Sequence, residues 1–384
     1  MTKPNILFLT GLDPRQTSYG GEQRTHFIWE SLKQIGDVQT VVLRAKCGIL
    51  DDDPEQGIRV VGTDSPCFLL KVLDRLLIRL ANGCRFPWHA RRTVERLVAK
   101  PGVKYDVVVC RYLTALALTS AWKLAPCVVD VDDYPPALAK SLGLSGWRRL
   151  LIGWWTRYLL GRCRVAWIPD AAQVSVVSRW APCRLLPNRA HEPSAGYSRE
   201  LPRKMQLMTV GYMLYRTNHE GVDWFLANAW PRIRARFPEM RYAVAGGGAP
   251  TDCVARWRAT PGVDVLGFVD DLERLYAESL AVVAPIRSGA GTCIKVLEAA
   301  LYGRAILAAP FAVRGFDAAQ CASLGITVSE DAEAYVAALE AVLQEADAPR
   351  RARESRIADA AHELNSFTHF TRQIESSVLS SIVF

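Results

Sequence analysis

Residues Val282 to Arg304, VVAPIRSGAGTCIKVLEAALYGR, constrain the fold more than any other stretch of this chain. The apolar run Leu280 to Ala284 is short and partly β-branched, as a buried parallel strand is. Pro285 stops it. Ser288, Gly289, Ala290, Gly291 and Thr292 follow, small residues that let backbone N–H groups come close to a ligand. Ile294, Leu297, Ala300 and Leu301 then fall at helical spacing, and Gly303 stands as a C-cap. A glycine loop joining the carboxyl end of a parallel strand to a helix N-terminus is an anion site, most often for phosphate. Arg287 and Lys295 flank the first turn, where cations oppose the helix dipole by about 0.3–1 kcal/mol each when exposed. A bound diphosphate reverses that sign. Alternatively both are solvated or paired, since Lys295 and Glu298 are three apart on one helix face.

The chain has 384 residues, half of them hydrophobic, enough for two domains with sizeable cores. It has no run of eighteen apolar residues, so no spanning helix is expected. The N-terminal apolar run is only Ile6 to Leu9, which is not a signal-peptide layout, and a cytoplasmic location is expected. The ten cysteines form no C-x-x-C and no cluster of zinc spacing, so reduced, mostly buried thiols are expected. The net charge of +8 is uneven: residues 66–165 hold 17 Lys/Arg against 6 Asp/Glu, or +11, leaving −3 elsewhere. A local excess of this kind suits an acidic surface such as phospholipid, or nucleic acid.

Strands and helices alternate along the whole length. Asn5 to Thr10, Val38 to Leu43, Ile58 to Val61, Tyr105 to Cys110, Cys127 to Val131, Val165 to Ile168 and Val174 to Val177 read as strands. A helix after Gly20-Gly21 carries Phe27, Ile28, Leu32 and Ile35 on one face. Residues 67–100 read as helical and basic, with Leu69, Val72, Leu73, Leu76, Leu77 and Leu80 in a stripe. Trp147 to Arg164 combines three Trp, one Tyr, four Leu and five Arg. That mixture suits either a membrane interface or a core helix whose arginines snorkel outward. The proline-rich stretch Pro187 to Arg203 reads as a domain linker. The alternation then repeats: strands Leu207 to Val210, Tyr242 to Ala245, Val263 to Leu266, Ala305 to Ala308 and Ile326 to Val328. Helices are expected over Val222 to Phe237, Leu272 to Ser279 and Ala332 to Glu345, and the tail from Ala348 is mainly helical.

Gly246-Gly247-Gly248, then G-F-V-x-D-L from Gly267, then P-x-R-S-G-x-G-T-x-x-K-x-L-E-A from Pro285 come in a specific order. Over about Leu207 to Glu345 this pattern resembles the donor lobe of a GT-B glycosyltransferase, in particular glycosyltransferase family 4, which is retaining. Gly20-Gly21, Asp130 to Asp133 and Pro187-Asn188 carry a looser likeness in the first half. The resemblance implies an α/β GT-B fold of two Rossmann-like β/α/β domains facing a central cleft. It divides the chain into an acceptor-binding domain over 1–190, a nucleotide-sugar donor domain over 206–360, and a C-terminal helix over 361–384 that packs on the first domain.

It also implies roles. Arg216, Arg287, Lys295 and the N–H groups from Ser288 to Thr292 hold the diphosphate, with Arg216 and Lys295 stabilising the leaving group. Glu298 accepts the ribose hydroxyls. Gly267 and Val269 bracket the backbone that meets the base, and Gly20 and Gly21 let the first lobe close on phosphates or acceptor. In the family the β-phosphate oxygen takes the acceptor proton, so neither a protein base nor a metal is required. The chain departs from the pattern in three places. The first of the family's two glutamates falls on Ala290. Cys293 stands where a related branch often has arginine. The family's phosphate lysine has no counterpart among Thr217, Asn218, His219 and Glu220.

Asp130-Val131-Asp132-Asp133 after a strand also resembles the metal motif of GT-A glycosyltransferases. In a GT-B enzyme, Asp133 or Asp132 reads as an acceptor-orienting carboxylate; a cap on Tyr134-Pro135-Pro136 is the alternative. The expected reaction is sugar transfer from a nucleotide-diphosphate sugar to a hydroxyl, with a lipid-linked saccharide as acceptor and peripheral contact with anionic membrane at its inner face. The competing readings are a non-catalytic GT-B-like binding or scaffold protein and a nucleotide-sugar or NAD-dependent Rossmann enzyme. The latter lacks the third glycine, which falls on Ile294. Nucleic-acid binding is disfavoured because the basic residues alternate with leucine and tryptophan at helical spacing.

Overall fold

A computed structural model of the chain describes residues 3–44, 47–63, 72, 76, 102–198 and 204–382. The chain divides into two compact units, Met1–Asn188 with Phe367–Phe384, and Arg189–Ser366. Most of the basic stretch 67–100 lies outside the described residues; of its stripe, Val72 and Leu76 are described and both are exposed.

The first unit is built on an eight-stranded sheet of order β3-β4-β2-β1-β5-β6-β7-β8. Its strands are β1 (Asn5–Thr10), β2 (Asp37–Arg44), β3 (Cys47–Asp53), β4 (Ile58–Thr63), β5 (Val107–Arg111), β6 (Cys127–Asp130), β7 (Val165–Ile168) and β8 (Cys183–Leu185). All pairings are parallel except β3 with β4. β1 lies centrally, Ile6 opposite both Val38 and Val107. Period-two alternation sends its side chains to two separate cores. Leu7 and Leu9 join Val129, Leu116, Trp155 and Leu159 on one face. Ile6 and Phe8 join Ile28, Leu32, Phe370 and Ile374 on the other. Both faces are therefore covered, which is why these strands read as unbroken apolar runs.

The helices described in this unit are α1 (Gly20–Ile35), α2 (Leu113–Thr119), α3 (Pro135–Ser141), α4 (Gly146–Leu160), α5 (Ala171–Val177) and, from the far end of the chain, a helix over Phe367–Ile382. The last packs along α1, where Ser31 Oγ lies 2.9 Å from Thr371 Oγ1 and Phe27 meets Phe367. The expected strand Val174 to Val177 is instead the second half of α5. Asp170 caps it by accepting from Ala172 N, and that cap outweighs the β-branched run.

The second unit holds a wholly parallel six-stranded sheet of order β11-β10-β9-β12-β13-β14. Its strands are β9 (Gln206–Val210), β10 (Arg241–Ala245), β11 (Val263–Gly267), β12 (Ala281–Ala284), β13 (Ala305–Ala308) and β14 (Ile326–Val328). Its helices are α6 (Arg216–Asn228), α7 (Trp230–Arg236), α8 (Thr251–Ala259), α9 (Leu272–Glu278), α10 (Ile294–Leu301), α11 (Ala318–Ser323), α12 (Ala332–Gln344) and α13 (Asp347–Leu364); the helix over Phe367–Ile382 is thus α14. The single helix expected over Val222 to Phe237 begins earlier and breaks at Ala229, with Pro231 in the first turn of α7. Again alternate residues feed two cores: Met208, Val282, Ala284 and Ile306 with α10, and Leu207, Tyr242, Val283 and Leu307 with α6, α7 and α12.

Two contacts seat α13 against the turn after α10. Gly303 has φ +72°, and a Cβ there would stand 2.7 Å from the Glu354 carbonyl oxygen, so only glycine fits. Arg304 and Glu354 pair at 3.5 Å in the buried layer beside it. At the unit's edge, Asn365 accepts from Ala190 N at 2.9 Å and donates back to Ala190 O at 3.0 Å, tying the entering segment to the leaving one.

Candidate functional site

The order of the second sheet reverses between β9 and β12, its first and fourth strands in sequence. In an open parallel sheet, ligands bind outside the carboxyl ends of the strands at such a reversal. Two loops leave there: Gly211 to Tyr215 after β9, leading into α6, and Pro285 to Cys293 after β12, leading into α10. Glycines bring them together. A Cβ on Gly221 of α6 would stand 2.6 Å from Pro285 O, so the first turns of α6 sit directly on the end of β12. Gly246, at φ +133°, presses against Gly211, where any Cβ would collide with its backbone.

Lys295 reaches across the gap from the first turn of α10. Its Nζ donates to Asn218 Oδ1 at 2.7 Å, and Asn218 Nδ2 donates to Tyr212 O at 2.8 Å. A Cβ on Gly211 would stand 2.8 Å from that same Nζ, so the glycine clears space for the ammonium. Burial lowers the Lys295 pKa from its usual value. Glu298 is one turn on. Burial pushes its carboxyl up to about 7, while the Lys295 charge pulls the other way. A carboxylate titrating there is held back by desolvation and gains from any ligand that donates hydrogen bonds to it.

The loop itself is strained where glycine permits it: Gly289 has φ +128° and Gly291 φ +67°. Ser288, Ala290 and Thr292 alternate with them. Arg314 braces the loop from behind. Its guanidinium donates to Gly289 O at 3.4 Å and Ala290 O at 3.3 Å, and lies 3.4 Å over the Phe311 ring. With those carbonyls engaged by Arg314, Thr217 at the start of α6 covers Gly289.

The structure does not join the other two expected cations to Lys295. Arg216, at the first position of α6, is exposed and pairs with Glu220 at 2.6 Å. Arg287 is exposed, its guanidinium 4.1 Å over the Trp224 ring on α6. Gly267 ends β11 at φ +69° and accepts from Gly246 N at 2.6 Å, while Val269 beyond it is half-buried against the core that carries Leu297. Asn218 and Arg314 were not singled out as donor-site residues from the sequence. An amide one turn into a helix, and an arginine in a Gly/Phe-rich segment, carry no motif of their own.

Gly20, Gly21 and Asp133 belong to the first unit. Gly20 and Gly21 open α1, where a Cβ on Gly21 would stand 3.3 Å from the Tyr112 hydroxyl. Tyr112 itself has φ +70°, a costly value for a side chain of its size. Beneath lies a buried charge network. Asp130 receives Arg24 Nη2 and Arg111 Nη1 at 2.6 Å each, and Arg111 Nη2 reaches Asp132 at 2.8 Å. Arg24 Nη1 also donates to Asn188 Oδ1 at 2.8 Å, at the end of the unit. Burial pushes Asp132 up, but Arg111 and Arg24 outweigh it and hold the carboxyl below its usual value. Asp130 thus spends both oxygens on guanidinium groups, Asp132 divides its own between Arg111 and the Asn188 amide, and among the described residues no group of three His, Cys, Asp or Glu is placed to hold a metal. Arg24 lies on the face of α1 that carries Ile28 and Leu32, and a charge on an apolar face was the signal for this network.

Residues 204–345 match the family model described as Glycosyl transferases group 1. No curated protein matches the chain by sequence. Several solved structures match over nearly the full length. Sucrose-phosphate synthase from Thermosynechococcus elongatus is 16% identical with a TM-score of 0.67, covering 97% of this chain and 98% of that one. Anabaena HepE in complex with UDP and glucose is 15% identical with a TM-score of 0.62, covering 99% and 100%. WaaG, a glycosyltransferase involved in lipopolysaccharide biosynthesis, is 14% identical with a TM-score of 0.64, covering 97% and 98%. Residues 204–345 are therefore similar to the glycosyl transferases of group 1, and the chain as a whole shares the GT-B fold of these solved structures.

Proposed function

We propose that the protein is a retaining glycosyltransferase that moves a hexosyl group from a nucleotide-diphosphate sugar to a hydroxyl acceptor. The observation that carries this reading is the Lys295–Asn218 contact at 2.7 Å across the strand-order reversal, with the glycine loop beside it and Glu298 one turn behind. Breaking the sugar–phosphate bond puts charge on the departing diphosphate. Lys295 and the N–H groups of Ser288 to Thr292 stabilise that charge, and fixed donors of this kind act where charge develops. Arg216 adds to them by releasing Glu220, an exposed pair worth under about 1 kcal/mol. Glu298 takes the two ribose hydroxyls. Gly267 to Val269 meet the base, and Gly20 and Gly21 contact the phosphates or acceptor.

The departing phosphate oxygen receives the acceptor proton, and Asp133 orients the acceptor hydroxyl. Neither step calls for a metal. HepE has been captured with UDP and with UDP-glucose, which supports a nucleotide sugar as the donor class. The acceptor is proposed to be a lipid-linked saccharide in surface polysaccharide or glycan assembly, met at the cytoplasmic face of a membrane. Calorimetry against UDP-, GDP- and ADP-sugars tests the donor: one tight binder is expected, and loss of its binding in Glu298→Ala. No binding by any of them overturns the assignment. The product anomer by NMR tests retention.

A further inference from the structure

α4 has two apolar faces. Ile152, Trp155, Leu159 and Leu160 are buried in the first unit's core. Trp147, Leu150, Trp154 and Tyr158 recur at i, i+3, i+7 and i+11, an arc of about 80° at 3.6 residues per turn. These four are 54%, 76%, 57% and 40% exposed. An exposed apolar row of this kind marks an interaction surface.

Its charge setting selects the partner. From Tyr134 to Pro169 there is no Asp or Glu, whereas Lys140, Arg148, Arg149, Arg157, Arg162 and Arg164 all fall in that span. The arginines lie against the rings: Arg162 is 3.4 Å over Tyr158, Arg148 5.4 Å over Trp147, and Arg157 4.6 Å over the exposed Trp180. Aromatic rings flanked by guanidinium groups fit the headgroup zone of a bilayer, rings at the acyl boundary and cations at the phosphates. A second copy of the chain fits less well, since a two-fold interface would set these arginines against their own kind. Single-stranded nucleic acid fits less well too, because Trp154 and Tyr158 stack on each other at 5.7 Å rather than both offering a free face. Among the described residues no helix is long and apolar enough to cross a membrane.

We propose that the outward arc of α4 docks on anionic phospholipid and lies in the plane of the interface. This deepens the membrane part of the proposed function and rests on it only for the acceptor; docking itself is independent of the donor site. The test is flotation of the full-length protein with phosphatidylcholine vesicles, with and without phosphatidylglycerol, alongside nucleotide binding in solution. Binding is expected only with phosphatidylglycerol, and to weaken with salt. Trp147→Ser with Leu150→Ser and Trp154→Ser is expected to lower it about tenfold or more, and the single change Leu150→Glu to lower it as well. Replacing Arg148, Arg149 and Arg157 by Gln is expected to lower it about fivefold per charge. Nucleotide binding is expected to stay unchanged in every variant, so failure of the donor assignment and failure of docking are told apart. Equal flotation of wild type and the serine variant overturns the proposal and moves docking to another segment. So does a concentration-dependent dimer in sedimentation velocity that the serine variant abolishes, without vesicle binding.

Discussion

The Lys295 ammonium sits 2.7 Å from the Asn218 amide oxygen, joining the first turns of two helices that leave adjacent strands at the reversal of the second sheet. The pairing holds a desolvated cation beside a loop of small residues, Ser288 to Thr292. Lys295→Met is expected to lower kcat/KM by about 10²–10³ with little change in fold, the usual cost of removing one preorganised donor. Asn218→Ala leaves the ammonium in place and is expected to cost about tenfold. Steady-state kinetics with the preferred donor checks both, and equal, small effects would place the diphosphate elsewhere.

Glu298 gives a pH signature. Burial disfavours its charge and pushes its carboxyl up to about 7, and on the proposed role the ribose hydroxyls donate to the ionised form. Donor binding therefore releases a proton, and affinity rises as pH rises through about 7 and levels off above it. A nucleotide sugar carries no titrating phosphate proton in that range, so the effect belongs to the protein. Calorimetry in buffers of different ionisation enthalpy measures the proton directly, and Glu298→Gln is expected to abolish the release.

The same group bears on stability. A glutamate raised from 4.5 to about 7 binds more protons folded than unfolded between those values, so stability falls as pH rises through that window and levels above 7. Without ligand at pH 8, Glu298→Gln is expected to stabilise the protein by roughly 1 kcal/mol, after discounting for partial exposure. Chemical denaturation at pH 5 and pH 8 reads the difference, which is expected to shrink at the lower pH.

The Arg24–Asp130–Arg111 network makes a prediction of opposite sign. All three side chains are buried, and Asp130 pairs with both guanidinium groups while Asp132 supplies the second negative charge through Arg111. Asp130→Asn leaves them facing a neutral amide, at a cost of about 3–5 kcal/mol. At about 2–4 °C per kcal/mol for a unit of this size, the melting temperature falls by about 10 °C. Scanning calorimetry checks it; an unchanged transition would mean the network is solvated.

Gly303→Ala separates packing from chemistry. With φ +72° and Glu354 O at 2.7 Å from the added Cβ, the change strains the backbone and pushes α13 away. It is expected to cost about 1–3 kcal/mol while leaving the Lys295 pocket chemistry intact. Denaturation and nucleotide affinity, measured together, show whether the two separate.

The strand–glycine–helix unit around Val282 to Arg304 was legible because each residue there has a local reason: an apolar run, a stop at Pro285, glycines with positive φ at 289 and 291, and a glycine cap at 303. Lys295 was legible as an oddly placed cation. Its partner was not, because which residue of α6 faces it depends on how that helix seats on the end of β12, fixed by the close approach of Gly221 to Pro285. Arg216 and Arg287 show the converse limit. Composition offered three cations for one anion, and packing turned one toward Glu220 and another onto Trp224. Val174 to Val177 misled as a strand because a β-branched run outweighed the Asp170 cap four residues earlier. The strand β3 went unread because three successive aspartates look like loop residues, although acidic side chains such as Asp51 and Asp53 on an edge strand guard it against pairing with another chain.

A crystal structure of the protein soaked with its preferred nucleotide sugar shows where the donor binds. The diphosphate is expected against Ser288 to Thr292 within hydrogen-bonding reach of Lys295 Nζ, and both ribose hydroxyls on Glu298. A nucleotide bound in the first unit, or in the second with Lys295 still held only by Asn218, would contradict it.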